Sequence, residues 1–364
     1  MSTEFAIKPK FELSVSGKNV TQDVSEFLSS LEYVDRLEDA SGEIQIELND
    51  IAGLWSSEWY IEPQTTLELK IGYDGNLLDC GLFEVDEIES NSPPDIMIVK
   101  ALAVSISKDL RTRKSRAFEN QTLRSIAQKI ADEHGLELVG DLSRMSQIEI
   151  SRKTQHHESN LAFLANLARR FGMIFSVRDN QLVFLNPEEL ERKPAIATIN
   201  KSEVSKHNFK DKTANTFEEV EIARRDVRSN RVVSWRIENS NDPTKKDTMH
   251  LGGRAENEGQ AAAIVTGSIR SVNKTKMVGS FRVDGNPLLV AGVNVDLNEF
   301  GAFSGLWTIS KSIHKIDRDG GYTTEVSLIK GMRSKTIQPP TRTAANRNQN
   351  QRHWGRDMGY NPNR

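Results

Sequence analysis

The chain has a single cysteine, Cys80, in 364 residues. That excludes an intrachain disulfide and a cysteine-clustered metal site, and it leaves a small side chain packed in a strand as the expected role. Long apolar runs are missing as well. No stretch approaches the roughly 18 apolar residues that a membrane-crossing helix needs. Met1 to Lys10 lack the basic-then-apolar pattern of a secretory leader. The chain is therefore expected in the cytoplasm at synthesis, with no membrane insertion. Aromatic residues make up 7%, too few for a surface of aromatic platforms. The usual catalytic spacings are also absent: no Gly-x-Ser-x-Gly elbow, no P-loop, no strand-borne Gly-x-Gly-x-x-Gly and no His-Glu-x-x-His.

The remaining chemical candidates are weak. His156-His157-Glu158 precedes a helix start, and neighbouring histidines in a regular strand point to opposite faces, which is poor geometry for one ion. His134 beside Gly135 reads as a satisfied surface residue. Asp317, Asp319 and Gly320 echo a calcium loop but lack the closing glutamate. Glu188, Glu189 and Glu191 read as a solvated acidic run. The Asn-x-Thr sites at Asn19, Asn120 and Asn273 carry no meaning without secretion. No catalytic residue, cofactor or metal site is expected.

Charge is present but uneven. The net charge is −3, yet residues 1–110 hold 22 acidic and 7 basic side chains, and the rest of the chain balances at +12. A field of one sign along one module influences what can touch it. The length suggests two to three domains. Residues 1–110 alternate with period two at Phe11, Leu13 and Val15, at Ile44, Ile46 and Leu48, and at Leu67, Leu69 and Ile71, with a further run opening at Ile96 and Ile98. Val24, Phe27, Leu28 and Leu31 have helical spacing, which admits one short helix. Residues 111–192 read as a small α/β module. Thr122 caps a helix stopped by Gly135, Ser159 caps a second ending at Gly172, and a hairpin turns at Asp179-Asn180. Residues 193–332 return to strands, with a helix over Glu256 to Arg270 and a hairpin turn at Asp319-Gly320-Gly321. Residues 333–364 have no apolar periodicity and cannot bury enough surface to fold alone. Docking of this basic tail on a partner protein, through Arg333, Arg342, Arg347, Arg352 and Trp354, is favoured over nucleic-acid binding, which would call for interleaved aromatics.

One phrase occurs twice. Leu67–Ile71, a glycine turn and Gly81-Leu-Phe-Glu-Val85 are echoed by Val293–Leu297, a glycine turn and Gly305-Leu-Trp-Thr-Ile309. A chain carrying one β unit twice can present two similar surfaces, which suits matching one symmetry to another.

Asn120–Gly135, Gln155–Gly172 with its hairpin, and Val283–Gly292 through Gly305–Ile309, His314 and Tyr322–Thr324 together resemble the late control protein D family. These are baseplate hubs of contractile phage tails, related to the N-terminal part of type VI secretion spike proteins. The resemblance covers roughly residues 5–332. It implies a mainly β, α+β fold, with two tube-protein-like antiparallel β-barrels (1–110 and 193–332) around the α/β module. It also implies a homotrimeric, pseudo-sixfold ring in the virion tail baseplate, assembled in the host cytoplasm. The partners implied are the tail spike protein, the tail tube or its initiator, and wedge proteins, with DNA only as passing cargo. Unlike the spike relatives, this sequence shows no needle repeat, so the spike is expected to be a separate chain. Part of the acidic first segment is expected to line the channel and to keep passing polyanions from sticking. A peptidoglycan-acting hydrolase would require clustered acids or a His-metal group, and a tail-tip receptor-binding protein would require exposed aromatics.

Overall fold

The computed structural model describes residues 8–344 apart from 39–41, 105–107, 179, 213–218, 227–230, 239–247, 253–254, 256–257, 275 and 331–340. The first β segment runs β1 (Pro9–Val15), β2 (Lys18–Asn19), α1 (Thr21–Phe27), β3 (Leu28–Arg36), β4 (Glu43–Asn49), β5 (Thr66–Tyr73), β6 (Asn76–Asn91) and β7 (Ile96–Ala103). Alternation puts Leu13, Ile44, Ile46, Leu48, Leu67, Leu69 and Ile71 into one core, each burial stabilising the fold by about 1.5–3 kcal/mol. Two details differ from the sequence reading. Helix α1 stops at Phe27, and Leu28 and Leu31 belong to β3, where a register shift between Leu28 and Ser30 returns both side chains to the core. In β7 the core takes Met97, Val99 and Ala101, while Ile96 and Ile98 lie half-buried on the other face.

The middle segment comprises α2 (Lys108–Arg111), β8 (Arg113–Thr122), α3 (Leu123–Glu133), β9 (Glu137–Gly140), α4 (Leu142–Gln147), β10 (Glu149–Ser159), α5 (Asn160–Arg170), β11 (Ile174–Arg178), β12 (Gln181–Leu185) and α6 (Pro187–Arg192). Thr122 caps α3 in a reciprocal box with Ser125, and Ser159 caps α5 by accepting from Ala162 N. The β11–β12 hairpin is joined by β9, parallel to β12. Strands β8 and β10 form a separate antiparallel ribbon.

The last segment holds β13 (Ala195–Asn200), β14 (Lys206–Asp211), β15 (Glu219–Asp226), β16 (Arg231–Glu238), β17 (Thr248–Leu251), α7 (Glu258–Lys274), β18 (Met277–Asp284), β19 (Asn294–Asn298), β20 (Gly305–Asp317), β21 (Gly321–Ile329) and β22 (Thr341–Ala344). Strands β15, β16, β17 and β22 form their own sheet. Val220, Ile222 and the apolar side of α7 share a core with the middle segment. Gly267 of α7 lies so close to Gly172 that a Cβ on either would overlap the other's backbone.

The fold is mainly β with helices, but two separate closed barrels are not what the strands form. Both β segments lie on one thirteen-stranded sheet with the path β14-β18-β21-β20-β3-β4-β7-β6-β5-β1-β2, and β13 and β19 branch from β20. Among the described residues no pairing closes it. The physical reason is β20: its first part pairs with β19 and its second part with β3 of the other segment.

Within that sheet the two segments repeat each other. The first reads β1-β5-β6-β7-β4-β3, and the second reads β13-β19-β20-β21-β18-β14. Among the six strands of each set, β2 left aside, the fourth, fifth and sixth in chain order form a meander flanked by the first on one side and by the third and second on the other. Leu67 faces Phe83 as Val295 faces Trp307, and Glu68 faces Leu82 as Asp296 faces Leu306. This register moves the sequence match along β19 by two residues, since Leu67 is the counterpart of Val295. A bulge interrupts the next ladder at the same place, between Val85 and Glu87 in one unit and between Ile309 and Lys311 in the other. The units differ at the outer strand: β1 is antiparallel to β5, whereas β13 is parallel to β19.

Candidate assembly surfaces

Among the described residues, no group of three or more His, Cys, Asp or Glu is placed to hold a metal. His156 and His157 do not point apart as a regular strand would require. The β10 register shifts beside them, and His157 has φ 47°, so the rings sit 4.8 Å apart, both exposed. Asp317 accepts from Asp319 N in a turn. His134 meets the side-chain amide of Asn160. An open cleft of about 710 Å³ between the first β segment and the middle segment is lined by Cys80, Leu82, Val104 and Arg178. Desolvation pushes the Cys80 thiol well above its usual pKa, with Asp79 adding to the effect, which suppresses thiolate nucleophilicity there.

The polar chemistry concentrates where the two β segments join. Strand β20 pairs antiparallel with β3 from Lys311↔Arg36 to Asp317↔Ser30. His314 is fully buried in this seam and stacks near Tyr33 at a 6.0 Å ring separation. Its Nε2–H donates to the Leu289 carbonyl at 3.2 Å, which leaves Nδ1 to accept from the Tyr322 hydroxyl at 2.7 Å. Burial lowers its pKa to about 4, so the imidazole is neutral at neutral pH. Asp35 ties three segments together. Its Oδ1 accepts from Arg178 Nη2 at 2.9 Å, and its Oδ2 accepts from Ala291 N at 2.9 Å. Arg178 Nη2 also donates to the Arg36 carbonyl. Burial nevertheless raises the Asp35 pKa, against the pull of Arg178. Sequence reading missed Asp35 and Arg178. The only local signal was a carboxylate directly after the buried pair Tyr33-Val34, and its partners lie far along the chain.

Two of the strand edges left open among the described residues belong to the large sheet and matter for assembly. Strand β14 ends the sheet path, paired only with β18, and all its side chains are exposed except the half-buried Phe209. On β6, the β5 ladder stops at Thr66↔Glu84, and Gln64 and Thr65 use up Val85. From Glu87 to Asn91, β6 is therefore paired only with β7. Leu82 and Leu306 are matching exposed apolar positions, 52% and 41% accessible, each between a glycine of positive φ and a buried aromatic. A groove of about 440 Å³ lined by Val24, Trp55, Trp59 and Tyr60 is a local concentration of aromatics. Of the tail residues proposed for docking, Arg342 lies in β22, opposite Val233 of β16. Arg333, Arg347, Arg352 and Trp354 fall outside the described residues.

The family model described as phage tail baseplate hub (GPD) matches residues 98–320. A probable baseplate hub protein of Escherichia phage P2 is 28% identical over 208 residues, covering 56% of this chain and 53% of that protein. The chain thus spans about half the length of this curated relative. The 43 kDa tail protein of prophage MuSo2 from Shewanella oneidensis superposes with a TM-score of 0.66 at 15% identity, over 88% of this chain and 98% of that one. An Escherichia coli component of the type VI secretion system superposes with a TM-score of 0.55 at 14% identity, over 89% of this chain and 77% of that one.

Proposed function

Because the chain belongs to the phage tail baseplate hub family, we propose that it is the structural hub of a contractile phage tail or related injection machine, three copies of which close into a pseudo-sixfold ring. The observation that carries this reading is the repeated unit. One strand order, one register and one bulge occur twice in a single chain. A closed threefold ring of such chains repeats approximately every 60°. It can meet a sixfold tube on one side and a threefold spike on the other, with wedge proteins outside and DNA only in passage.

In such a ring the sheet face turned away from the cores lines the channel. In the first β segment that face carries Glu32, Glu43, Glu47, Glu87 and Glu89 against Arg36 and Lys100. In the second it carries Lys206, Lys210, Arg282, Lys311 and Lys315 against Asp284, Asp317 and Glu325. The lining is then alternating sectors of opposite sign, and the acidic surface expected from the first segment is confined to its own sectors. Adhesion of a passing polyanion is weakened at those sectors. The basic tail is proposed to engage a neighbouring subunit or baseplate protein.

Solution mass tests the core of the reading. The full chain, alone at high concentration or with the trimeric spike, is expected at three times the 40.9 kDa protomer. A protomer mass under both conditions removes the ring.

A further inference from the structure

The seam inside one chain predicts the seam between chains. Strand β3 of the first unit lies along the second half of β20, just past the bulge. The counterpart of that half of β20 is Glu87–Asn91 of β6, and there the edge is open among the described residues. The counterpart of β3 is β14, and it is open too. Cross-sheet rows fix the equivalence: Val85, Ala101, Ile44 and Tyr33 form one row, and Ile309, Leu328, Gly279 and Phe209 form the other.

We propose that Glu87–Asn91 of one protomer pairs antiparallel with Asn208–Lys212 of a second copy, repeating between subunits the β20–β3 ladder found within each. This rests on the hub reading and deepens it by naming the edges that join. Transferring the internal register Lys311↔Arg36 and Ile313↔Val34 sets Glu87 opposite Lys212 and Glu89 opposite Lys210, with Ser90 opposite Phe209. Nothing in the transfer used charge, yet both glutamates meet lysines.

All four side chains fall on the face away from the cores, as alternation through the paired strands requires. The other neighbour of Glu87 and Glu89 is Lys100 of β7, so the acidic edge would be flanked by lysine on both sides. Directly opposed unlike charges are the favourable cross-strand arrangement. Eight strands from each of three protomers, spaced about 4.8 Å apart, close on a backbone diameter of roughly 37 Å, wide enough to leave a channel. The competing account of a lysine-bearing edge strand is protection against unwanted pairing, and it expects no ordered partner at β14.

Paired cysteines separate these accounts. In a Cys80→Ala background, Glu89→Cys with Lys210→Cys is treated with a mild disulfide-forming oxidant and run without reductant. Covalent dimers and trimers, with nothing larger, are expected, while each single-cysteine variant stays at protomer mass. Glu32→Cys with Lys315→Cys, facing each other in the internal seam, is the control and should close within one chain. A protein that is trimeric by mass, whose control pair closes but whose Glu89–Lys210 pair does not, overturns the seam and leaves the ring. A protein that never associates overturns both. The reversed charge in Glu89→Lys is expected to lower the trimer fraction about tenfold or more, and Lys210→Glu in the same chain is expected to restore it. Failure of that rescue with an intact trimer also counts against the seam.

Discussion

His314 holds the seam as a neutral group, and that makes the junction sensitive to acid. In the unfolded chain a histidine takes up a proton near pH 6.5, whereas the folded site resists until about 4 because burial strips its water. Between those values the unfolded state binds more protons, so stability falls as pH drops through the window and levels off below it. The full loss is on the order of 3 kcal/mol. His314→Gln should start less stable at pH 7.5, and its disadvantage should shrink by pH 4.5, as read from urea midpoints. Equal slopes in the two proteins would place the titrating group elsewhere. Asp35 is the second anchor. Asp35→Ala strips a partner from both Arg178 and the Ala291 amide, one of them in a buried position. A loss of about 2–4 kcal/mol is expected in equilibrium unfolding. A loss under about 0.5 kcal/mol, the range of ordinary surface changes, would show that the three segments are held by packing alone.

At the scale of elements, what the sequence revealed depended on whether one face was buried. Strands β1, β4 and β5 each bury one face, so period-two alternation finds them, and the helices α3 and α5 announce themselves through Thr122 and Ser159. Strand β7 was found but mis-phased, because Ile96 and Ile98 on its far face are apolar as well. Strand β14 escaped because an exposed edge has no apolar face to alternate, and β8 escaped because only Phe118 in it is fully buried. The seam was illegible for a different reason: a sheet pairing such as His314↔Tyr33 joins distant stretches and leaves no local pattern. The tail shows how an element changes a test. Cutting after residue 335 removes β22 and uncovers the edge of β16, whereas cutting after residue 344 keeps that pairing. If the tail serves assembly, both truncations fold and both assemble poorly, as read by sedimentation with the remaining baseplate proteins. If its role is only to cover β16, the longer form assembles normally and the shorter one aggregates.

At the scale of the whole molecule, repeated and single-copy parts are separable in the chain. Twelve strands of the thirteen-stranded sheet occur in two matching sets, one per unit, and β2 stands outside them. The middle segment occurs once. So does the insertion of β15, β16, β17 and α7 between β14 and β18, whereas β3 and β4 are joined by a short connection with nothing comparable. These two single-copy parts share one core, so in the proposed ring each protomer would contribute one solid module beside two like sectors. Sixfold character should therefore be confined to the radius of the sheet, and threefold character to the modules. Electron-microscopic averages viewed down the ring axis test this directly. Rotational power at order six is expected to peak at the inner radius, with order three dominating where the modules lie. A ring with order three alone at every radius would mean that the two units face different surroundings. Their shared strand order would then reflect duplication without symmetry matching.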